Sequence, residues 1–234
     1  MKEFIHCIDL SDQLKNFNFC SRRAIESLLA VQLILDDPKP NPMNMDIDVL
    51  INCSPEILNG VVSAKMTALY KASKLKKLKR KLTPSENHTI KIAELEIEFE
   101  KGRRIYNYSA PSRLSCLYLA EDDLDSREML RGMFVNVFSR PKIINVEILN
   151  QMEIVQVDHK WVNKYFEEPN KDYIKKYWTG IPYDEDFPSW EYLLEGTITM
   201  KDEIQISEID DHIKNEYPEV YQRIMEERQK LDIN

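Results

Sequence analysis

The feature that most constrains the fold is an apolar stripe at helical spacing across Pro55–Leu82. It runs through Ile57, Leu58, Val61, Val62, Met66, Leu69 and Leu75. Apolar residues three and four apart line one face of a helix, so this stretch predicts a long helix with a buried side. Thr83-Pro84-Ser85-Glu86 then breaks and restarts it: proline suits a first helical turn, and serine or threonine can cap it. Ile90–Tyr106 continues as a second helix, with Glu94, Glu96, Glu98 and Glu100 read as one acidic side, and the two form a helical hairpin. Upstream, Lys2–Asp9 predicts a strand, a helix starts near Ser11, and Arg22–Leu35 has helical spacing until the prolines of Asp36–Pro42 stop it.

The chain changes character after Ala110. Ser112–Ala120, Lys142–Leu149, Glu153–Val157, Glu191–Met200 and Glu203–Ile209 read as strands. Asp125–Phe138, a short aromatic helix within Trp161–Trp178, and Tyr217–Leu231 read as helices. A helical block of about residues 20–107 inserted after a first strand, followed by strands and a C-terminal helix, predicts one α+β domain over 1–234.

Composition narrows the function classes. The net charge is −8, from 32 basic and 40 acidic residues, which argues against a protein that coats nucleic acid over its whole surface. One local exception stands out: seven basic residues in the eleven positions from Lys71 to Lys81. Such a patch suits phosphate contacts, a solvated helix face, or a dock for an acidic protein. Cys7, Cys20, Cys53 and Cys116 are scattered, with no C-x-x-C pair, and read as reduced, mostly buried thiols of a cytoplasmic protein. No apolar run approaches the roughly 20 residues of a membrane span, and no metal site is expected at Asp158-His159. The glycine loops of nucleotide-binding folds and the G-x-S-x-G elbow are absent from the sequence.

Glu191 and Glu195 share one face of a predicted strand, about 13 Å apart along it, too far to work on one atom. Periodicity alone leaves them as solvated carboxylates of a surface strand. His6 lies mid-strand, where a structural role is the default. Arg113 opens an apolar strand with Ser115 on its face, so its charge needs a partner or water.

The order of these segments resembles the ADP-ribosyltransferase superfamily. The carriers are His6 in FIHCID, the PSRLSCLYLA run of Pro111–Ala120, Asp158-His159-Lys160-Trp161, Tyr177-Trp178-Thr179-Gly180, and WEYLLEG from Trp190 to Gly196. The likeness is clearest to a bacterial and phage toxin-like group. It implies split antiparallel sheets around NAD, with a catalytic His6, Tyr118 and Glu191. Glu191 would hold the nicotinamide ribose and stabilise a cationic transition state, His6 would orient the other ribose, and Tyr118 would stack on nicotinamide. His6, Arg113, Ser115, Tyr118 and Trp178 are the implied NAD contacts. Glu195 is the rival for the essential glutamate. Ser189 stands where arginine-specific members carry Glu and guanine-modifying members Gln, so neither acceptor chemistry transfers directly. The expectation is a toxin or defence effector that modifies nucleic acid, RNA ahead of DNA, and is held by an antitoxin. The alternatives are a protein target, an inactive fold serving as a binding module, or a helical RNA-binding protein.

Overall fold

The computed structural model describes residues 3–34, 45–47, 49, 64–134, 138–200 and 202–231. The first half of the apolar stripe, the Asp36–Pro42 stop and Cys53 lie outside them. The chain divides into two compact units. One comprises Met1–Glu26, Tyr118–Gln151 and Gly196–Asn234, and the other Ser27–Leu117 and Met152–Glu195.

The chain forms one antiparallel sheet, of which residues 152–158 and 190–195 belong to the second unit and nearly all the rest to the first. Its strands are β1 (Phe4–Asp9), β2 (Ala24–Glu26), β3 (Leu117–Glu121), β4 (Pro141–Asp158) and β5 (Trp190–Met200), in the order β2-β5-β3-β1-β4, and β4 also pairs with β5. β1 lies between β3 and β4: His6 is opposite Leu119 on one side and Ile144 on the other, and Ile5 and Cys7 are buried. After β1, Asp9 accepts hydrogen bonds from the Ser11 amide and hydroxyl and from the amides of Ser139 and Arg140. Burial alone would raise its carboxyl, but these donors hold it below the usual value.

Helix α1 (Gln13–Arg22) ends where Arg23 takes a left-handed φ of 55°. The predicted Arg22–Leu35 helix is therefore divided. Ala24–Glu26 pairs with Thr197–Thr199 of β5, and a short helix α2 (Leu28–Ile34) starts only after Ser27. In the second unit follow α3 (Ala64–Leu75) and α4 (Pro84–Tyr106), which form the expected hairpin, although α3 ends at Leu75 and not at the predicted Leu82. Thr83 caps α4 with a reciprocal capping box to Glu86, and Pro84 occupies the first turn. Met45, Met66, Leu69, Ala72, Ala93 and Leu114 form the hairpin's core.

In the remaining segments, α5 (Leu124–Phe134) follows β3. The predicted strands 142–149 and 153–157 are one continuous β4, because Asn150-Gln151 supplies no turn. The aromatic stretch forms two helices, α6 (Lys160–Glu167) and α7 (Lys171–Trp178), split at Pro169-Asn170, where the Asn170 side chain caps α7. The predicted strand 203–209 is helix α8 (Glu203–Glu216). Asp202 caps it through the amides of Ile204 and Gln205. Ile206, Ile209 and Ile213 are buried at helical spacing while Ile204 is 72% exposed, which rules out the two-residue period. Helix α9 (Pro218–Lys230) closes the first unit. Arg228 reaches Asp210 with two hydrogen bonds of 2.8 and 2.9 Å and the Cys20 carbonyl at 2.8 Å. The free thiols of Cys7, Cys20 and Cys116 are buried, and burial pushes that of Cys7 up to about 12. Among the described residues no helix is long and apolar enough to cross a membrane.

Candidate functional site

The second unit buries an unusual density of charge, and the local fold explains how. Helix α4 carries Glu96 and Glu100 four residues apart, so both point to one face, and Glu94 and Glu98 point elsewhere. The four acids thus do not form one side. Glu96 and Glu100 are 3% and 0% exposed, while Glu94 is exposed.

Glu100 organises the chain beyond the helix. It accepts from Arg103, Arg104 and the Ser112 hydroxyl, and Arg103 donates onward to the carbonyls of Tyr108 and Ala110. This fixes residues 108–112. Ser112 then turns the chain, its carbonyl accepting from the amides of Ser115 and Cys116. Arg113 therefore sits in a turn and not on a strand face with Ser115, as the sequence reading placed it; β3 begins only at Leu117.

Arg113 is 1% exposed and grips Glu96 bidentately, Nε to Oε2 at 3.0 Å and Nη2 to Oε1 at 3.2 Å. Its Nη1 donates to the Tyr177 hydroxyl and, at 2.6 Å, to Glu191 Oε1. Tyr177 also donates to Glu191 Oε1. Lys65 Nζ lies 2.6 Å from Glu96 Oε1. Two guanidinium or ammonium groups thus face two carboxylates, and the buried charge balances. Burial alone would raise both carboxyls, but Arg113 and Lys65 hold Glu96 low, and Arg113, His159 and Lys65 hold Glu191 far below the carboxylate range. Burial and repulsion from Arg113 lower Lys65 against the pull of Glu96. Burial and the nearby Glu191 carboxylate push the Tyr177 hydroxyl well up.

Two atoms of the cluster, facing each other, lack a hydrogen bond. Glu191 Oε2 is buried and accepts no hydrogen bond. His159 Nδ1 lies 3.3 Å away without the geometry of one and is itself unsatisfied. A buried carboxylate oxygen without a donor is costly, and it is the open acceptor of this site.

The other expected residues divide between the units. Ser115 and Trp178 belong with Arg113 and Glu191 to the second. The Ser115 hydroxyl donates to Glu195 Oε1 at 3.0 Å. Glu195, like Glu191, is fully buried, so neither is a solvated carboxylate; burial raises its carboxyl against the hydroxyls of Ser27 and Ser115. Trp178 is 1% exposed, and its indole N–H donates to the Phe99 carbonyl at 2.7 Å, tying α7 to α4. The two helices meet at Gly102, where an added Cβ would lie 2.1 Å from Ile174 Cγ2. His6 and Tyr118 belong to the first unit. His6 Nδ1 donates to the Tyr118 carbonyl at 2.8 Å, and the Tyr118 ring packs edge-on against Phe134. Asp158 serves as a loop anchor, accepting from the amides of Lys160, Tyr183 and Ser189.

Sequence reasoning missed Lys65, Glu96, Tyr177 and His159 as members of the cluster. The available signal was the i, i+4 placement of Glu96 and Glu100 on the face that also carries Ala93, Phe99 and Arg103.

Residues 48–208 match the family model described as Protein of unknown function (DUF2441), and the chain belongs to that family. The matched span holds every member of the Arg113–Glu191 cluster as well as Tyr118, and leaves His6 outside. No curated protein matches the chain.

Proposed function

For this member of the DUF2441 family we propose NAD-dependent ADP-ribosyl transfer, in the setting of a toxin or defence effector, with RNA ahead of DNA as the acceptor. The observation that carries the reading is the open Oε2 of Glu191. The 2′-hydroxyl of the nicotinamide ribose is a donor of the kind that oxygen lacks, and it would take the place next to Oε2 that His159 now holds. The bond from ribose C1′ to the nicotinamide nitrogen breaks, and nicotinamide leaves with the bonding pair. The ribosyl cation is stabilised by the ionised Glu191. An acceptor oxygen or nitrogen adds to C1′ and releases its proton. Arg113 and Tyr177 hold Glu191 in place through Oε1 and so leave Oε2 for the sugar. His6 and Tyr118 would bind the adenosine-side ribose and the nicotinamide ring.

Complete burial of Glu191 favours a second reading, an inactive fold in which this glutamate only pins Arg113. The test is incubation of the chain with labelled NAD and separate RNA, DNA and protein pools. Label is expected in RNA and should fall about 10²-fold in Glu191→Gln. Label confined to protein would reassign the acceptor. No label in any pool, with NAD intact, would leave the binding module.

A further inference from the structure

Resting on the reading of RNA as acceptor, we propose that the basic end of the α3–α4 hairpin and the neighbouring His88–Phe166 ring pair form a docking surface for single-stranded RNA.

The charge there is only partly compensated. Lys76 pairs with Glu94 at 2.7 Å and Arg80 with Glu86 at 2.5 Å, while Lys74 lies over the Tyr70 ring. Lys71, Lys77, Lys79 and Lys81 are exposed and have no carboxylate partner among the described residues. Helix α3 has ended by Lys76, so three of the four project from the turn that leads into α4. On a chain of net charge −8 this is a local positive field, the sign that captures phosphates.

The second observation is aromatic. The rings of His88 and Phe166 meet edge-on at 5.6 Å, and Lys91 Nζ sits 3.9 Å over the Phe166 ring. His88 and Lys91 are exposed and Phe166 half-buried. Lys91 lies about 12 Å along α4 from its cap at Thr83, given the helical rise of 1.5 Å per residue. Rings and lysines therefore share one end of the hairpin, within reach of a strand of a few nucleotides. An acidic protein would need only the lysines. Ring faces beside phosphate-binding cations are the pairing that unstacked bases use, and bases inside a duplex are not free to use it.

The experiment measures binding of a fluorescein-labelled single-stranded 20-mer RNA to the full chain by anisotropy, without NAD, from 50 to 200 mM salt. Lys77→Gln/Lys79→Gln/Lys81→Gln should flatten the log–log salt slope by about 2, near 0.7 per lost phosphate contact. Phe166→Ala should weaken binding about ten-fold without changing that slope, and Phe166→Trp should restore it. A duplex of the same sequence should not respond to Phe166→Ala. An unchanged salt slope in the triple variant, unchanged affinity in Phe166→Ala, or competition by polyglutamate equal to that of RNA would overturn the proposal, the last in favour of an acidic protein. Binding in this pattern without any transfer would remove the enzymatic reading and keep the docking surface; transfer to RNA without it would do the reverse.

Discussion

Glu191→Gln tests the buried cluster independently of catalysis. The substitution keeps shape and a carbonyl oxygen for Arg113 and Tyr177, but leaves Arg113 and Lys65 facing Glu96 alone. The buried site then carries one uncompensated positive charge, and breaking such a pair costs about 3–5 kcal/mol. Lys65 relieves part of this, because its side chain is 15% exposed and its ammonium is already disfavoured by burial and by Arg113. The expected loss is about 3 kcal/mol, or about 6–12 °C in melting temperature for a chain of this size. Adding Lys65→Met to Glu191→Gln removes the surplus charge, so the double variant should be more stable than the sum of the two single losses. The folded-state pKa of Glu191 is depressed, so its contribution is fully present above the unfolded carboxylate value of about 4.3 and fades as pH falls below it. The gap between wild type and variant should therefore be widest near neutral pH and narrow below about pH 4. Thermal melts by circular dichroism from pH 3 to 8 give both readouts. A variant within 1–2 °C of wild type at pH 7, or a gap that widens on acidification, would refute the account of a balanced buried cluster.

Two further substitutions probe the backbone. Gly102→Ala drives a methyl into Ile174 Cγ2 across the α4–α7 contact, and overpacking should cost about 1–3 kcal/mol, read in a urea titration; a neutral result would mean the helices do not approach this closely. Arg23 holds a left-handed φ that glycine adopts freely, so Arg23→Gly should be more stable than Arg23→Ala by about 1–2 kcal/mol, and equal stabilities would remove the strain.

Much of the fold was legible because local signals agreed with one another. At Thr83–Glu86 the cap, the proline and the acid all point to a helix start, and the structure has one there. β1 and β5 were legible as compact runs of apolar and β-compatible residues. Ile204 and Ile206 misled, since two isoleucines two apart suggest a strand until Ile209 and Ile213 complete a helical stripe. β2 was hidden because its three residues gain their strand character from pairing with β5, which no local pattern announces. In the site, the need of Arg113 for a partner could be read from its apolar surroundings, but not the identity of the partner. Glu96 and Glu191 lie 17 and 78 residues away. Their burial depends on a long-range meeting that turns two ordinary surface residue types into core ones.

That meeting also limits how sequences of this family can drift. Lys65, Glu96, Arg113 and Glu191 form one electroneutral set, so no member changes without consequence for the others. A relative that replaces the lysine at position 65 by an apolar residue should also have given up one acid, and one that loses Glu191 should have lost a cation with it. The four positions should therefore be inherited as a block, exchanging charge in opposite pairs, while the exposed lysines of Lys71–Lys81 remain free to move along the turn one at a time.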